Sequence, residues 1–309
     1  MSQTTFFVPL ADHGLIRVSG EDAAGFLHNL LTNDITHLAA DGVRHAGLCT
    51  PKGRMIASFA IWREKNVEGG SDYLLLLSAD ILPGILKKLS MYVLRSKVKL
   101  ADISAERSLL GVAGANAEEL IGTLGAMTSL PFAGGTAVRL DVRRFVLALP
   151  ADNASVVHAR LEAAARAGTL DDWHLAEIEA GMPRIVAATQ EAFTPQMVNY
   201  ELDAVDGVSF QKGCYPGQEI VARTQYLGKV KRRMYRVKLD TAFPPGTDVF
   251  TPEAGDQHCG AVVLCASAPK GGFEALLVVQ SSGMEADAVY VGKPDGPKAE
   301  RLPLPYPVD

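Results

Sequence analysis

Cysteine is scarce in this 309-residue sequence, and long apolar runs are missing altogether. The four cysteines, Cys49, Cys214, Cys259 and Cys265, form no CxxC pair, so we expect no disulfide framework, structural zinc site or resident iron–sulfur cluster. No run of eighteen apolar residues and no secretory signal occurs, which predicts a protein without a membrane span. Together these absences predict a cytoplasmic protein.

Familiar catalytic and nucleotide-binding signatures are missing too. The sequence has no GxGxxG after a strand, no Walker loop, no HExxH and no GxSxG. Its seven histidines show no metal-ligand spacing, and its net charge is −5. Without that spacing we expect no metal. Because nucleic-acid-binding proteins usually carry a basic excess, we also expect no direct nucleic-acid partner. A local basic groove stays compatible with this charge.

The hydrophobic pattern changes along the chain. Helix and strand patterns alternate at first, and helix signals disappear from about Met234 onward. The length predicts more than one core. We interpret residues 1–230 as an α+β region of two interleaved subdomains and residues 231–309 as a small β-barrel. The strands predicted in this last part are Met234–Leu239, Gly260–Ala266, Ala275–Gln280 and Ala288–Gly292.

The most unusual segment lies just before this change, at residues 210–233. The pattern predicts a loop over residues 212–215 followed by a helix that begins at Pro216 and ends near Gly228. Its buried stripe is predicted to consist of Ile220, Val221, Thr224 and Leu227.

Cys214 is the candidate reactive residue of this segment. It precedes a predicted helix N-terminus and follows Lys212 closely, and both features favour the thiolate and raise nucleophilicity. The alternative is a small buried residue that packs a tight turn. From the residues alone the packing role is the commoner one, because most free cysteines are structural.

The segment Lys212-Gly-Cys-Tyr-Pro-Gly-Gln-Glu219, continued to Arg223, resembles the signature of the YgfZ family, KGC-aromatic-x-GQE-x-x-x-R. Members of this family are folate-binding proteins related to the glycine-cleavage T-protein. The resemblance covers nearly the whole chain. It includes Val18–Asp22, Thr32–Asp34, Lys52–Met55, Ile178–Pro183, Phe193–Asn199 and Leu304–Tyr306.

The resemblance implies a T-protein-like arrangement of subdomains around a central cavity that holds tetrahydrofolate or another reduced folate. Glu179 occupies the position that binds the pterin in T-proteins, where a carboxylate can accept two adjacent N–H groups. An exposed helix residue is the alternative for Glu179. Trp173, on the same predicted helix, lines the folate cavity in the family, although an indole can equally fill a core.

Other cofactor contacts are carried over by position. His13 stands where the family has a second cavity tryptophan, and Lys212, Arg223 and Asn199 match motif positions. The basic residues Lys229, Lys231, Arg232 and Arg233 have three interpretations: a solvated strand edge, an anion site for the glutamate tail of folate, or an RNA patch. The solvated edge is favoured for most of them, and Arg232 is the candidate ligand contact.

Three functions follow from the resemblance. The first is a folate-dependent factor that supports assembly or repair of iron–sulfur clusters in client proteins, including tRNA-modifying enzymes, with Cys214 acting beside the folate. The second is a tetrahydrofolate-dependent one-carbon transferase; T-proteins use an aspartate near the position of Glu68–Asp72, where this sequence lacks the paired acids. The third is a non-catalytic folate sensor or scaffold. Folate and iron–sulfur clients or assembly factors are the expected partners, and a monomer is the expected state.

Overall fold

A computed structural model describes residues 4–65 and 70–308. The chain divides into two compact units, each built from two stretches of sequence. The first unit contains the chain up to Ala46 and Phe59–Trp173, and the second contains Gly47–Ser58 and the chain from His174 onward. Among the residues named in the sequence analysis, Glu68 and Gly69 lie outside the described residues.

Two antiparallel-rich sheets form the framework of the first unit. One follows the order β11-β1-β7-β10-β9-β8, and the other the order β3-β4-β5-β2-β6. The strands are β1 Phe6–Pro9, β2 His13–Ser19, β3 Val43–Cys49, β4 Met55–Lys65, β5 Ser71–Ser78, β6 Lys99–Asp102, β7 Arg107–Ala113, β8 Thr128–Phe132, β9 Gly135–Arg139, β10 Arg144–Pro150 and β11 Arg166–Ala167. The ends of β3 and the start of β4 belong to the second unit.

Helices cover these sheets because each carries one apolar face. In α2, Leu82, Ile85 and Leu89 are buried at helical spacing. In α4, Val157 and Leu161 join the core around Phe145. The helices of this part of the chain are α1 Ala23–Leu30, α2 Leu82–Ser90, α3 Ala117–Ile121, α4 Ala151–Glu162 and α5 Leu170–Glu179.

The second unit is built on a six-stranded sheet of order β16-β13-β14-β15-β12-β17. Its strands are β12 Arg232–Leu239, β13 Asp248–Phe250, β14 Gly260–Ser267, β15 Phe273–Gln280, β16 Tyr290–Val291 and β17 Glu300–Leu302. One core lies around Val237 and Leu277. A second lies around Met234, Ile178 and Val221, so it joins β12 to the end of α5 and to α6 Gln218–Tyr226.

Each strand predicted after residue 230 corresponds to an observed one, with ends shifted by one or two residues. The exceptions to the all-strand expectation are the 3-10 turn Pro252–Ala254 and the short helix α7 Ser281–Glu285. The chain therefore combines helices and mixed sheets throughout its first 230 residues with a strand-rich last part, as the α+β prediction states.

Candidate functional site

The KGC segment forms a loop that leads into α6. Gln218 N donates to the carbonyl oxygen of Tyr215 at 3.1 Å, and Gly217 is the residue before the helix, with φ +84°. The prediction that the helix begins at Pro216 is wrong by two residues. A left-handed residue cannot continue an α-helix, so Gly217 delays the start of α6 to Gln218.

Gly217 is needed because the loop touches the Thr50–Gly53 turn through bare backbone. A Cβ at Gly217 would lie 2.3 Å from the carbonyl oxygen of Thr50 and 2.8 Å from the Cα of Gly53. A Cβ at Gly53, whose φ is +70°, would lie 3.0 Å from the Cβ of Ile220. Two motifs separated by about 160 residues are thus locked together, and the position of the KGC loop depends on both.

The Thr50–Gly53 turn, which contacts the KGC loop, is itself fixed by residues 192–199. Met55 N donates to the carbonyl oxygen of Phe193 at 2.8 Å, and Arg54 Nη1 donates to that of Ala192 at 2.7 Å. Gln196 Nε2 in turn donates to the carbonyl oxygen of Val221 in α6 at 2.7 Å. Hydrogen bonds from backbone and side chains therefore fix both the turn that contacts the KGC loop and the helix α6 that follows the loop.

Cys214 lies on the surface of this loop, and its neighbours do not. Its thiol is free and exposed, whereas Cys49 and Tyr215 are buried. Burial raises the pKa of Cys49 to about 12. Burial, with the nearby Cys49 thiol as a smaller cause, raises the pKa of Tyr215 well above its usual value. Cys214 is thus the accessible sulfur of the loop, and Cys49 is a protonated core residue.

Lys212 packs inward rather than standing in solvent. Only 8% of it is exposed, and its Nζ lies 4.9 Å from the centre of the Tyr215 ring. A cation over an aromatic face is stabilised by the ring quadrupole. Lys212 therefore helps to hold Tyr215, and through it the backbone on both sides of Cys214.

Glu179 is the last residue of α5, and its carboxylate is held by the sheet. Arg236 Nη2 lies 3.6 Å from Glu179 Oε1. The same guanidinium donates to Glu274 Oε2 from Nη2 at 2.5 Å and from Nε at 2.7 Å. The Glu179 side chain is about one-quarter exposed, so its carboxylate is positioned by Arg236 and still reaches solvent.

Glu177, two residues earlier, belongs to a separate buried cluster. Its carboxylate lies 3.5 Å from Arg184 Nε, and His174 Nε2 lies 2.8 Å from Arg184 Nη2. Because a guanidinium is donor only, His174 accepts this hydrogen bond through Nε2. This cluster fixes the turn after α5.

Trp173 and His13 meet in the first unit. Their ring centroids are 6.5 Å apart at an interplanar angle of 82°. Trp173 is 1% exposed, and Arg144 lies 5.7 Å over its ring. A Cβ at Gly111 would come within 2.6 Å of the indole. The structure packs the indole into a core, and its buried Nε1 has no hydrogen-bond partner among residues 4–65 and 70–308.

Asn199 is fully buried and uses both ends of its amide. Nδ2 donates to the carbonyl oxygen of Met234 at 2.8 Å, and Oδ1 accepts from Met234 N at 3.4 Å. Its φ of +58° is left-handed, a conformation that Asn tolerates better than most residues. Asn199 therefore ties the 3-10 turn Pro195–Val198 to β12.

The basic residues at the start of β12 separate into different environments. Lys229, Lys231 and Arg223 are exposed and Arg232 is half-buried. Arg233 is buried, donates to the carbonyl oxygen of Gln196 at 3.0 Å and forms an ion pair with Glu201. The solvated-edge interpretation fails for Arg233, because its side chain is buried and paired with Glu201.

Sequence reasoning missed Arg236 entirely. In a strand, side chains two residues apart share a face, so Arg236 lies on the same face as Met234. The alternation alone does not identify Arg236 as a neighbour of Glu179. It would do so only with the knowledge that the end of α5 packs into the same core as Met234.

Comparisons with known proteins show the family and the fold of the chain. The family model described as the GCVT N-terminal domain matches residues 9–149. A relative in Vibrio vulnificus (strain YJ016), named tRNA-modifying protein YgfZ, is 32% identical over 312 residues, with 98% of this chain and 93% of the relative covered. The chain belongs to the YgfZ family. A YgfZ protein of Escherichia coli O127:H6 (strain E2348/69 / EPEC) is 29% identical over 316 residues, with 97% of this chain and 93% of the relative covered.

The fold is shared with a solved aminomethyltransferase. The crystal structure of glycine cleavage system aminomethyltransferase T from Bartonella henselae matches with a TM-score of 0.74, covers 97% of this chain and 85% of that chain, and is 17% identical. This confirms the T-protein-like fold class, and the motif resemblance to YgfZ is confirmed by the relatives. No helix in the described part of the chain is both long and apolar enough to cross a bilayer.

Proposed function

We propose that this YgfZ-family chain is a folate-binding factor that supports the assembly or repair of iron–sulfur clusters in client proteins, tRNA-modifying enzymes among them. The observation that carries the proposal is the KGC loop, where an exposed thiol stands on backbone locked to a second motif. An accessible sulfur on a fixed backbone suits chemistry on a bound partner better than a packing role, since Cys214 is exposed.

One group in the structure, the carboxylate of Glu179, fits a bound reduced folate. Glu179 offers a carboxylate that is oriented by Arg236 and partly open to solvent, and such a group can accept the paired N–H donors of a pterin edge. A bound reduced folate would supply a carrier for one-carbon units. Arg223, which is exposed, and Arg232, which is half-buried, are the proposed contacts for its anionic tail.

A titration tests the folate part. The full chain is titrated with 5-formyltetrahydrofolate, and the same measurement is made on Glu179→Gln and on Glu219→Gln, an exposed acid of α6. We expect loss of about tenfold in affinity for Glu179→Gln, because a neutral amide replaces a charged acceptor, and no loss for Glu219→Gln. Equal affinities in all three proteins would remove Glu179 from the site.

A complementation assay tests the thiol. A strain that lacks the gene is supplied with the unmodified chain, Cys214→Ala or Cys265→Ala, and the activity of its iron–sulfur enzymes is measured. Cys265 is a half-buried free cysteine of β14 and controls for the loss of a thiol as such. Full rescue by Cys214→Ala would show that this sulfur does no chemistry.

The fold match to an aminomethyltransferase supports a second candidate, a tetrahydrofolate-dependent one-carbon transferase. Incubation of the purified chain with tetrahydrofolate and an aminomethyl or methyl donor tests it. Formation of methylene- or methyltetrahydrofolate at more than one equivalent per chain would favour this candidate over the repair factor.

A further inference from the structure

Three large apolar side chains stand in solvent within four consecutive residues after α2. Met91, Tyr92 and Leu94 are 62%, 41% and 88% exposed. Single exposed apolar residues are ordinary on protein surfaces, but neighbours that form a patch mark interaction sites. We call residues 91–95 the tip.

The tip is held in a strained conformation. Leu94 has a φ of +42°, which is a genuine outlier for a bulky residue. Hydrogen bonds on both sides maintain it: Tyr92 N donates to the carbonyl oxygen of Leu89 at 3.0 Å, and Ser96 N to that of Val93 at 2.7 Å. Strain of this kind persists where the surroundings fix it, which is common at functional sites. Leu94 is therefore presented in a preformed shape that costs little further ordering on binding.

The base of the tip is tied to the start of α1. Lys97 N donates to Asp22 Oδ2 at 2.7 Å, and Lys97 Nζ donates to Glu21 Oε2 at 2.7 Å. These bonds fix the side chains of Asp22 and Glu21. The tip thus projects from a fixed support rather than from a free loop.

The chain segment that contains the tip is rich in basic residues. Residues 81–101 contain five basic residues and no acid, in a chain of net charge −5. Of these five, Lys97 pairs with Glu21, whereas Lys87, Lys88, Arg95 and Lys99 form no ion pair within residues 4–65 and 70–308. Unpaired cations around an apolar projection favour a partner that carries negative charge.

A hollow lies beside the tip. It has a volume of about 450 Å³, and its lining combines apolar residues with polar ones: Phe26, Leu30 and Tyr92, and Glu21, Asp22, Asn29 and Ser96. A second, more open hollow of about 710 Å³ adjoins it at Tyr92 and Leu94. Projection and hollow lie next to each other, so a partner can both receive Leu94 and insert a side chain of its own.

We propose that the tip and its hollow form a docking surface for an acidic protein segment that carries an apolar anchor residue. The anchor would fill the hollow between Phe26 and Leu30, and the acids of the partner would face the unpaired basic residues. A flat bilayer surface does not fill a concave hollow, whereas a side chain of a protein segment can.

Fluorescence anisotropy with three labelled 16-residue peptides tests the proposal. One peptide combines Asp and Glu with Leu and Phe, the second replaces Leu and Phe by Ser, and the third replaces the acids by Lys. We expect the full-length protein to bind the first peptide at least tenfold more tightly than the other two. Leu94→Asp and Arg95→Glu should each weaken that binding at least tenfold.

The turn between β9 and β10 provides a matched control. Val142 and Arg143 form an exposed apolar–basic pair there, with Val142 73% exposed, so Val142→Asp and Arg143→Glu make the same chemical changes elsewhere in the first unit. Thermal unfolding of each variant checks that it is folded. The proposal is overturned if no acidic peptide binds, if tip and control variants bind it alike, or if phosphatidylglycerol vesicles or poly(U) bind instead and lose affinity with the tip variants.

Discussion

Arg236 reaches Glu179 at 3.6 Å while two of its nitrogens are anchored on Glu274. The arrangement gives the carboxylate at the end of α5 a fixed cation as neighbour, on a strand 57 residues further along the chain. A carboxylate that is already oriented loses less entropy when it accepts hydrogen bonds from a ligand. Arg236 is thus a positioning residue for the proposed pterin contact.

Replacement of Arg236 by Gln should weaken the binding of 5-formyltetrahydrofolate about tenfold, or roughly 1.4 kcal/mol, and Arg236→Lys should restore part of the loss. Affinity for p-aminobenzoylglutamate, which has the tail without the pterin, should not change. Lys238→Gln, an exposed change on the same strand, is the control. Equal losses for both ligands would mean that Arg236 acts on the fold as a whole.

Substitution of Gly217 by Ala should destabilise the protein because the new Cβ would collide with the Thr50 carbonyl in addition to the cost of a positive φ. Gly271→Ala isolates the second cost, since Gly271 has φ +89° and no atom near its Cβ position. We expect about 1–2 kcal/mol for Gly271→Ala and a larger loss for Gly217→Ala, measured by urea unfolding. Similar losses at both positions would argue against the backbone contact.

The free cysteines should differ in alkylation. Iodoacetamide at pH 8 should label Cys214 in the native protein and leave Cys49 unlabelled until denaturant is added, because burial raises the pKa of Cys49 to about 12. Peptide mass spectrometry gives the label at each site. Native labelling of Cys49 at the rate of Cys214 would show that the KGC loop opens readily.

The same burial predicts a loss of stability at high pH. An unfolded cysteine ionises near pH 9.0, whereas folded Cys49 keeps its proton until about pH 12. The stabilising contribution is therefore complete below pH 9.0 and is lost as the pH rises towards 12. Cys49→Ala should flatten the fall of unfolding free energy across this window relative to the unmodified chain, and an unchanged slope would contradict the assignment.

His45 should contribute a dependence of opposite sign in acid. Burial, and next the charge of Arg144, lower the pKa of His45 from 6.5 to about 4. The unfolded chain binds this proton first, so stability is present above pH 6.5 and is lost as the pH falls to about 4, by up to about 3 kcal/mol. Subtracting the urea-unfolding profile of His45→Gln from that of the unmodified chain isolates this contribution; identical profiles would show that His45 is not buried as described.

Local patterning predicted the strands of the second unit because each is short, apolar and bounded by turn residues. It predicted α6 less well. Val221 is buried, but Ile220 is 39% and Leu227 84% exposed, so the predicted stripe is wrong at both positions. Helical periodicity finds a buried face only where the helix is covered along its length, and Leu227 lies beyond the end of α6.

The long-range features could not be predicted from the sequence, for a different reason. The division of the chain after Ala46, Ser58 and Trp173 depends on which distant segments pack together, and no local signal records that. The candidate residues themselves were found by motif, whereas the Arg236 contact and the inward packing of Lys212 and Asn199 required coordinates. A sequence motif identifies a candidate residue, whereas the contacts of that residue depend on the tertiary structure.

The backbone contact between Gly53 and Gly217 has one more consequence. The place of the Cys214 sulfur is decided partly by a turn some 160 residues upstream that contains no reactive group of its own. Variants that change the position of this thiol without replacing Cys214 can therefore be sought at residues 50–53. There, one added methyl group would shift the backbone of the loop that carries the sulfur.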